Sequence, residues 1–167
     1  MVIDVLLAPA FGSRGSTSNL TMGSWIARRR ESFSYVLVQH EVGAVMEALG
    51  AKPDFRVYRH RTLWSYLDTP EVVRQMMDWL PIYRLRGVTV RVWVVCHKTH
   101  WKACRYFLRK RYGILACRVD VDVPYDPKSG QWPTRGPLRA ALYKPVAVFR
   151  YLRNGDIKLF RRSSTVR

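Results

Sequence analysis

The sequence predicts an α/β domain: a three-layer sandwich with a mostly parallel sheet of about five strands. Three observations predict it. Short runs dense in valine and leucine recur along the chain, and segments with helical features alternate with them. The first run is nearly continuous in apolar residues, the pattern of a strand covered on both faces. The chain has 167 residues, 48% of them hydrophobic and 13% aromatic, enough for one core and too few for two comfortable ones.

The elements follow in order. Residues 2–8 read as strand one. Residues 9–23 hold Gly12, Gly15 and Gly23 among Ser13, Ser16, Thr17 and Ser18, and read as a loop. A short helix is expected over 21–30, capped by Thr21 or Ser24. Residues 35–39 are strand two. They lead into a helix over 41–50, where Val42, Val45, Met46 and Leu49 share one face and Gly50 closes the end. Residues 55–58 are a short third strand. Thr69 as cap and Pro70 in the first turn start a helix that runs to about Leu80, with Pro81 as its end or kink.

Residues 88–95, with five valines and Trp93, are strand four. Thr99 is expected to cap a helix from His100 to about Arg111. Trp101, Cys104 and Leu108 form its apolar stripe, and Lys98, Lys102, Arg105 and Arg109 a basic one. Gly113 stops it. Residues 115–123 read as strand five, 124–137 as a loop, and 138–152 as a last helix interrupted or restarted at Pro145. This order gives a Rossmann-like domain over 1–157 and a basic tail over 158–167.

The net charge is +17. Between Trp79 and Val119 there is no acidic residue, whereas Arg84, Arg86, Arg91, Lys98, Lys102, Arg105, Arg109, Lys110, Arg111 and Arg118 all fall there. A field of one sign favours polyanions: nucleic acid, anionic lipid or a phosphorylated ligand. No apolar run approaches the roughly 20 residues that span a bilayer. The first run carries Asp4 and no basic leader, so it reads as a strand and not as a signal peptide. Cys96, Cys104 and Cys117 are odd in number and set among apolar residues, which predicts reduced thiols in a cytoplasmic protein.

Ligands of an open parallel sheet gather outside the carboxyl ends of its strands. Phe11 to Gly15 follow strand one; Gln39, His40 and Glu41 follow strand two. Thr62, Ser65 and Asp68 follow strand three, His97 to His100 follow strand four, and Tyr125 and Asp126 follow strand five. Neither G-x-G-x-x-G nor a P-loop is present. The N–H groups of Gly12, Ser13 and Gly15 can nonetheless cradle an anion. His97 and His100 stand where a strand feeds a helix N-terminus, and imidazole there can hold phosphate or move a proton. The spacing of Cys96, His97, His100 and Cys104 does not converge four ligands, so no metal is expected.

Residues 94–107, V-V-C-H-K-T-H-W-K-A-C-R-Y-F, resemble the V-T-S-x-x-H-x-x-R-A junction of the YdcF-like family, with His100 on its histidine. Thr62, Ser65 and Asp68 fall on its S-x-x-T-x-E-N element, Glu41 on the acid of its S-G-G…E-A element, and 21–29 and 138–157 on its first and last helices. Gln39-His40 replaces the S-G-G, Leu67 stands at its second acid, and Ala103 at its arginine. The resemblance implies a Rossmann-like fold with a pocket at the strand ends for a small anionic or nucleotide-like ligand. His100, Glu41 and Asp68 would be the reacting groups, with Gly12, Ser13, Gly15, Thr62, Ser65, His97 and Thr99 around the ligand. A second expectation is a non-enzymatic nucleic-acid-binding protein, or a basic subunit of a larger assembly, using Lys98, Lys102, Arg105 and Arg109.

Overall fold

The computed structural model describes residues 1–58, 69–80 and 87–153. In chain order they form β1 (Val2–Ala8), α1 (Thr17–Ala27), β2 (Tyr35–Gln39), α2 (His40–Ala48), β3 (Phe55–Val57) and α3 (Thr69–Trp79). Then come β4 (Thr89–Val94), α4 (Lys98–Tyr112), β5 (Cys117–Arg118) and α5 (Pro137–Arg153). Short 3₁₀ turns stand at Arg30–Ser32 and Trp132–Arg135. The five strands form one sheet in the order β3-β2-β1-β4-β5, and every pairing is parallel. The α/β Rossmann-like architecture expected from the sequence is therefore the one observed.

β1 is the central strand. It pairs with β2 from Val5↔Tyr35 to Ala8↔Val38 and with β4 from Val2↔Thr89 to Leu7↔Val94. Its side chains alternate between two cores, as the period of two requires. Ile3, Val5 and Leu7 pack with Val72, Val73, Met76 and Met77 of α3 and with Cys104, Phe107 and Leu108 of α4. Leu6 and Ala8 pack with Met22 and Ile26 of α1 and Val42 and Met46 of α2. Gly23 lets those last two helices meet: a β-carbon there would lie 2.6 Å from Val45 Cβ and 3.1 Å from the Val42 carbonyl oxygen.

Four local expectations are corrected. α1 begins at Thr17, with Ser16 as its cap through an Asn19 N–H bond of 3.4 Å to Oγ, and neither Thr21 nor Ser24 caps it. His97, not Thr99, caps α4. β5 is two residues long, because β4 turns toward α4 after Val94; past the last Val119 N–H bond to Val94 (3.0 Å) the chain has no ladder partner. α5 runs unbroken through Pro145. The carbonyl that loses its donor there belongs to Ala141, which is exposed to water.

Candidate functional site

Parallel pairing brings the carboxyl ends of all five strands to one edge. The strand order reverses between β1 and β4: the chain leaves β1 for β2 on one side and later crosses to β4 on the other. Open parallel sheets place their ligands at such a switch point, and here it falls between the loop after β1 and the start of α4.

His97 ends the connection from β4 and caps α4. Its Nδ1 accepts from the Thr99 N–H at 3.2 Å and lies 2.8 Å from Thr99 Oγ1. A nitrogen that accepts from a backbone N–H carries no proton, so the neutral ring holds its proton on Nε2. That Nε2 is buried and has no partner. Phe11 stacks on the ring with centroids 4.0 Å apart and 3° between planes, and Tyr125 meets its edge at 4.3 Å. His100, one turn into α4, meets Phe11 edge-on at 4.9 Å. The residue is partly exposed, but its Nδ1 is buried and unpartnered.

Burial, more than the neighbouring charges of His100, Lys98 and Arg118, lowers the pKa of His97 to about 4. Burial lowers that of His100 to about 4 as well. Both imidazoles are thus neutral at neutral pH: acceptors and donors, not cations. Burial also raises the Tyr125 hydroxyl, which keeps it a donor.

Across β1, the start of α2 supplies a second pair of polar groups. Gln39 Oε1 accepts from the Ala10 N–H at 3.0 Å and ties the β1 exit to the β2 exit. His40 Nδ1 and Glu41 Oε2 are buried without a partner. The His40 ring lies 5.0 Å from Tyr58, which is mostly exposed.

The loop after β1 is organised by its own side chains. Asn19 Oδ1 accepts from the Phe11 N–H at 2.9 Å, and its Nδ2 donates to the Gly12 and Ser13 carbonyls at 3.3 and 3.0 Å. The Ser13 N–H donates to Ser129 Oγ at 3.3 Å. Asp126 accepts the Thr17 N–H at 3.0 Å, placing a carboxylate at the start of α1. Gly12 and Gly15 both have positive φ, 102° and 76°, which glycine adopts without strain. A side chain at Gly12 would also press on Ser16 and Ser129.

Of the residues the sequence singled out, His97, Thr99 and His100 stand together at the start of α4. Gly12, Ser13 and Gly15 lie on the β1 side, and Glu41 lies one strand further, at the end of β2. Asp68, Thr62 and Ser65 fall outside the described residues. Lys98, Lys102, Arg105 and Arg109 are all exposed along α4, and among the described residues none is in an ion pair. Cys96 and Cys104 are free thiols facing the opposite core; the hydrogen bond between them, then burial, raises Cys104 well above its ordinary range. Among the described residues no three His, Cys, Asp or Glu side chains converge, and no helix is long and apolar enough to cross a membrane.

Sequence reasoning assigned Asn19 nothing, and gave Phe11 and Tyr125 a place on the rim without a role. The one local signal for Asn19 was its spacing three residues after Ser16. For Phe11 it was an aromatic standing alone between a strand and two glycines. Comparison with known proteins finds no family model, no curated protein and no solved structure that matches the chain.

Proposed function

We propose that this chain is a cytoplasmic YdcF-like domain that binds a small anionic or nucleotide-like ligand in the crevice between β1 and β4, and that hydrolysis is the reaction such a site performs. The observation that carries the reading is the pair of buried, unpartnered ring nitrogens, His97 Nε2 and His100 Nδ1, at the start of one helix. A buried polar atom without a partner costs free energy in the empty site, and a ligand that satisfies it recovers that loss. His97 donates through Nε2–H. His100, uncharged at neutral pH, takes a proton from an attacking water. Glu41 contributes its carboxylate from the β2 side, and Gly12, Ser13, Gly15 and Thr99 line the loops; Asp68, Thr62 and Ser65 are assigned by resemblance alone.

Titration of the labelled chain with inorganic phosphate and with adenosine monophosphate, followed through histidine ring resonances, tests this. Both rings should shift, and their pKa values should rise in the complex, because a bound anion favours imidazolium. Affinity should therefore increase as the pH falls. His100→Ala should fold normally and lose about 10²–10⁴-fold in turnover of any phosphoester the chain hydrolyses. Rings that ignore both ligands would remove the site.

A second reading is favoured by the row of exposed cations on α4: a nucleic-acid surface that holds phosphates without reading bases. With about six phosphates neutralised, the log–log salt slope on duplex DNA should be near −5. A flat salt response rejects that reading and leaves the first intact.

A further inference from the structure

α5 is unlike the other helices. Among the described residues its main packing partner is the 3₁₀ turn Trp132–Arg135 that precedes it, and no strand of the sheet is among its principal partners. Leu138, Leu142, Val146 and Phe149 recur at i, i+4, i+8 and i+11, which places them within one face of a helix. They are 71%, 61%, 45% and 65% exposed. Arg139 is exposed at the edge of that face and Lys144 on the opposite side of the helix. The helix sequence adds Arg150 and Arg153, and no acidic residue occurs between Asp126 and Asp156.

We infer that α5 is a membrane-surface helix: it lies in the plane of an anionic lipid bilayer, with the Leu138–Leu142–Val146–Phe149 face among the acyl chains and Arg139 and Lys144 at the headgroups. An exposed apolar stripe flanked by cations is the pattern of helices that bind there. Charge selects the occupant. A second copy would bring a like-charged helix against this one, on a chain of net charge +17, whereas an anionic leaflet attracts each Lys and Arg near it. Nucleic acid matches the charge but offers no seat for a row of aliphatic side chains. Trp132, 45% exposed just before the helix, suits the interfacial region, where indole is favoured. The inference is independent of the ligand crevice, since it uses none of its residues.

Co-sedimentation of the full chain with vesicles tests it. Wild type should pellet with phosphatidylcholine vesicles containing a third phosphatidylserine and stay in solution with pure phosphatidylcholine. The double variant Leu142→Ser/Phe149→Ser removes two exposed apolar side chains and should melt at the wild-type temperature. Its partition onto the anionic vesicles should drop by about a hundredfold. Arg139→Gln/Lys144→Gln should weaken binding most at low salt. Three results overturn the inference: equal behaviour on the two vesicle types, a double variant that still binds like wild type, or a wild-type dimer that the double variant turns into a monomer. RNA binding lost in the same double variant, with vesicle binding absent, would give the helix to nucleic acid instead.

Discussion

Phe11→Ala is expected to destabilise the fold by about 3–5 kcal/mol, the range for deleting a fully buried phenyl ring. Phe11 is 2% exposed and belongs to the core between the sheet, α1 and α2. It also meets the rings of His97, His100 and Tyr125 at the proposed site. Its removal therefore has a second, local effect. Water reaches the face of the His97 ring, the chief cause of the low pKa is relieved, and the value climbs from about 4 toward 6.5. Urea unfolding should show a lower midpoint with an unchanged slope, and a histidine titration should show the rise. Phe11→Leu, which keeps much of the volume, should recover most of the stability. A loss below about 1 kcal/mol, or a His97 that still titrates near 4, would mean that the phenyl ring does not seal the site.

Acid should weaken the fold well above the pH at which most carboxylates titrate. His97 has no exposed surface and its folded pKa of about 4 lies below its unfolded value near 6.5. A depressed value means that the unfolded chain binds the proton first. The stability this group contributes is complete above pH 6.5 and is lost as the pH falls through 4. At about 1.4 kcal/mol per unit the loss is about 3 kcal/mol. His100, lowered by burial as well, acts in the same direction. Asp4 follows in a lower window. Its hydrogen bonds from Arg91 and Trp93 lower it from 3.8 to about 2, so its contribution fades only as the pH falls below 3.8. Stability measured from pH 7 to 4 should fall in wild type and much less in His97→Asn, which keeps a capping side chain and removes the proton site. A wild-type profile flat across that range would show that His97 is open to water.

The elements that were legible in the sequence are those whose local pattern and tertiary role agree. β1 and β2 have the predicted bounds, and α2, α3 and β4 differ by a residue or two at their ends. α1 was legible only in its second half. Thr17, Ser18, Asn19 and Gly23 have the composition of a loop, and they are helical because the cap Ser16, with Ser18 and Asn19, reaches inward to bond the loops after β1 and β5. Those contacts are tertiary and leave no periodic trace. Residues 115–123 alternate like a strand, and Val121 and Val123 are buried, but their burial comes from the core beside α1 rather than from a ladder.

For the site, the carboxyl ends of the strands could be listed once the strands were placed, which is why His97, His100, Glu41 and Tyr125 were in view. Which imidazole nitrogen is free could not be read. It depends on His97 turning back to cap α4, a role the sequence assigned to Thr99. Asn19 and Asp126 hold the β1 loop across 8 and 109 residues, and no pattern in the sequence announces a bond of the longer span.

The carboxylate at the first turn of α1 gives the crevice a built-in polarity. Two helices, α1 and α4, begin beside the switch point, and each carries its positive pole at that end. One pole already holds a counter-ion supplied by the chain itself, through the Thr17 N–H bond to Asp126. The other is finished by an uncharged ring. A guest with unlike ends would be repelled on one wall and welcomed on the other, so its orientation would be decided before any group specific to it made contact.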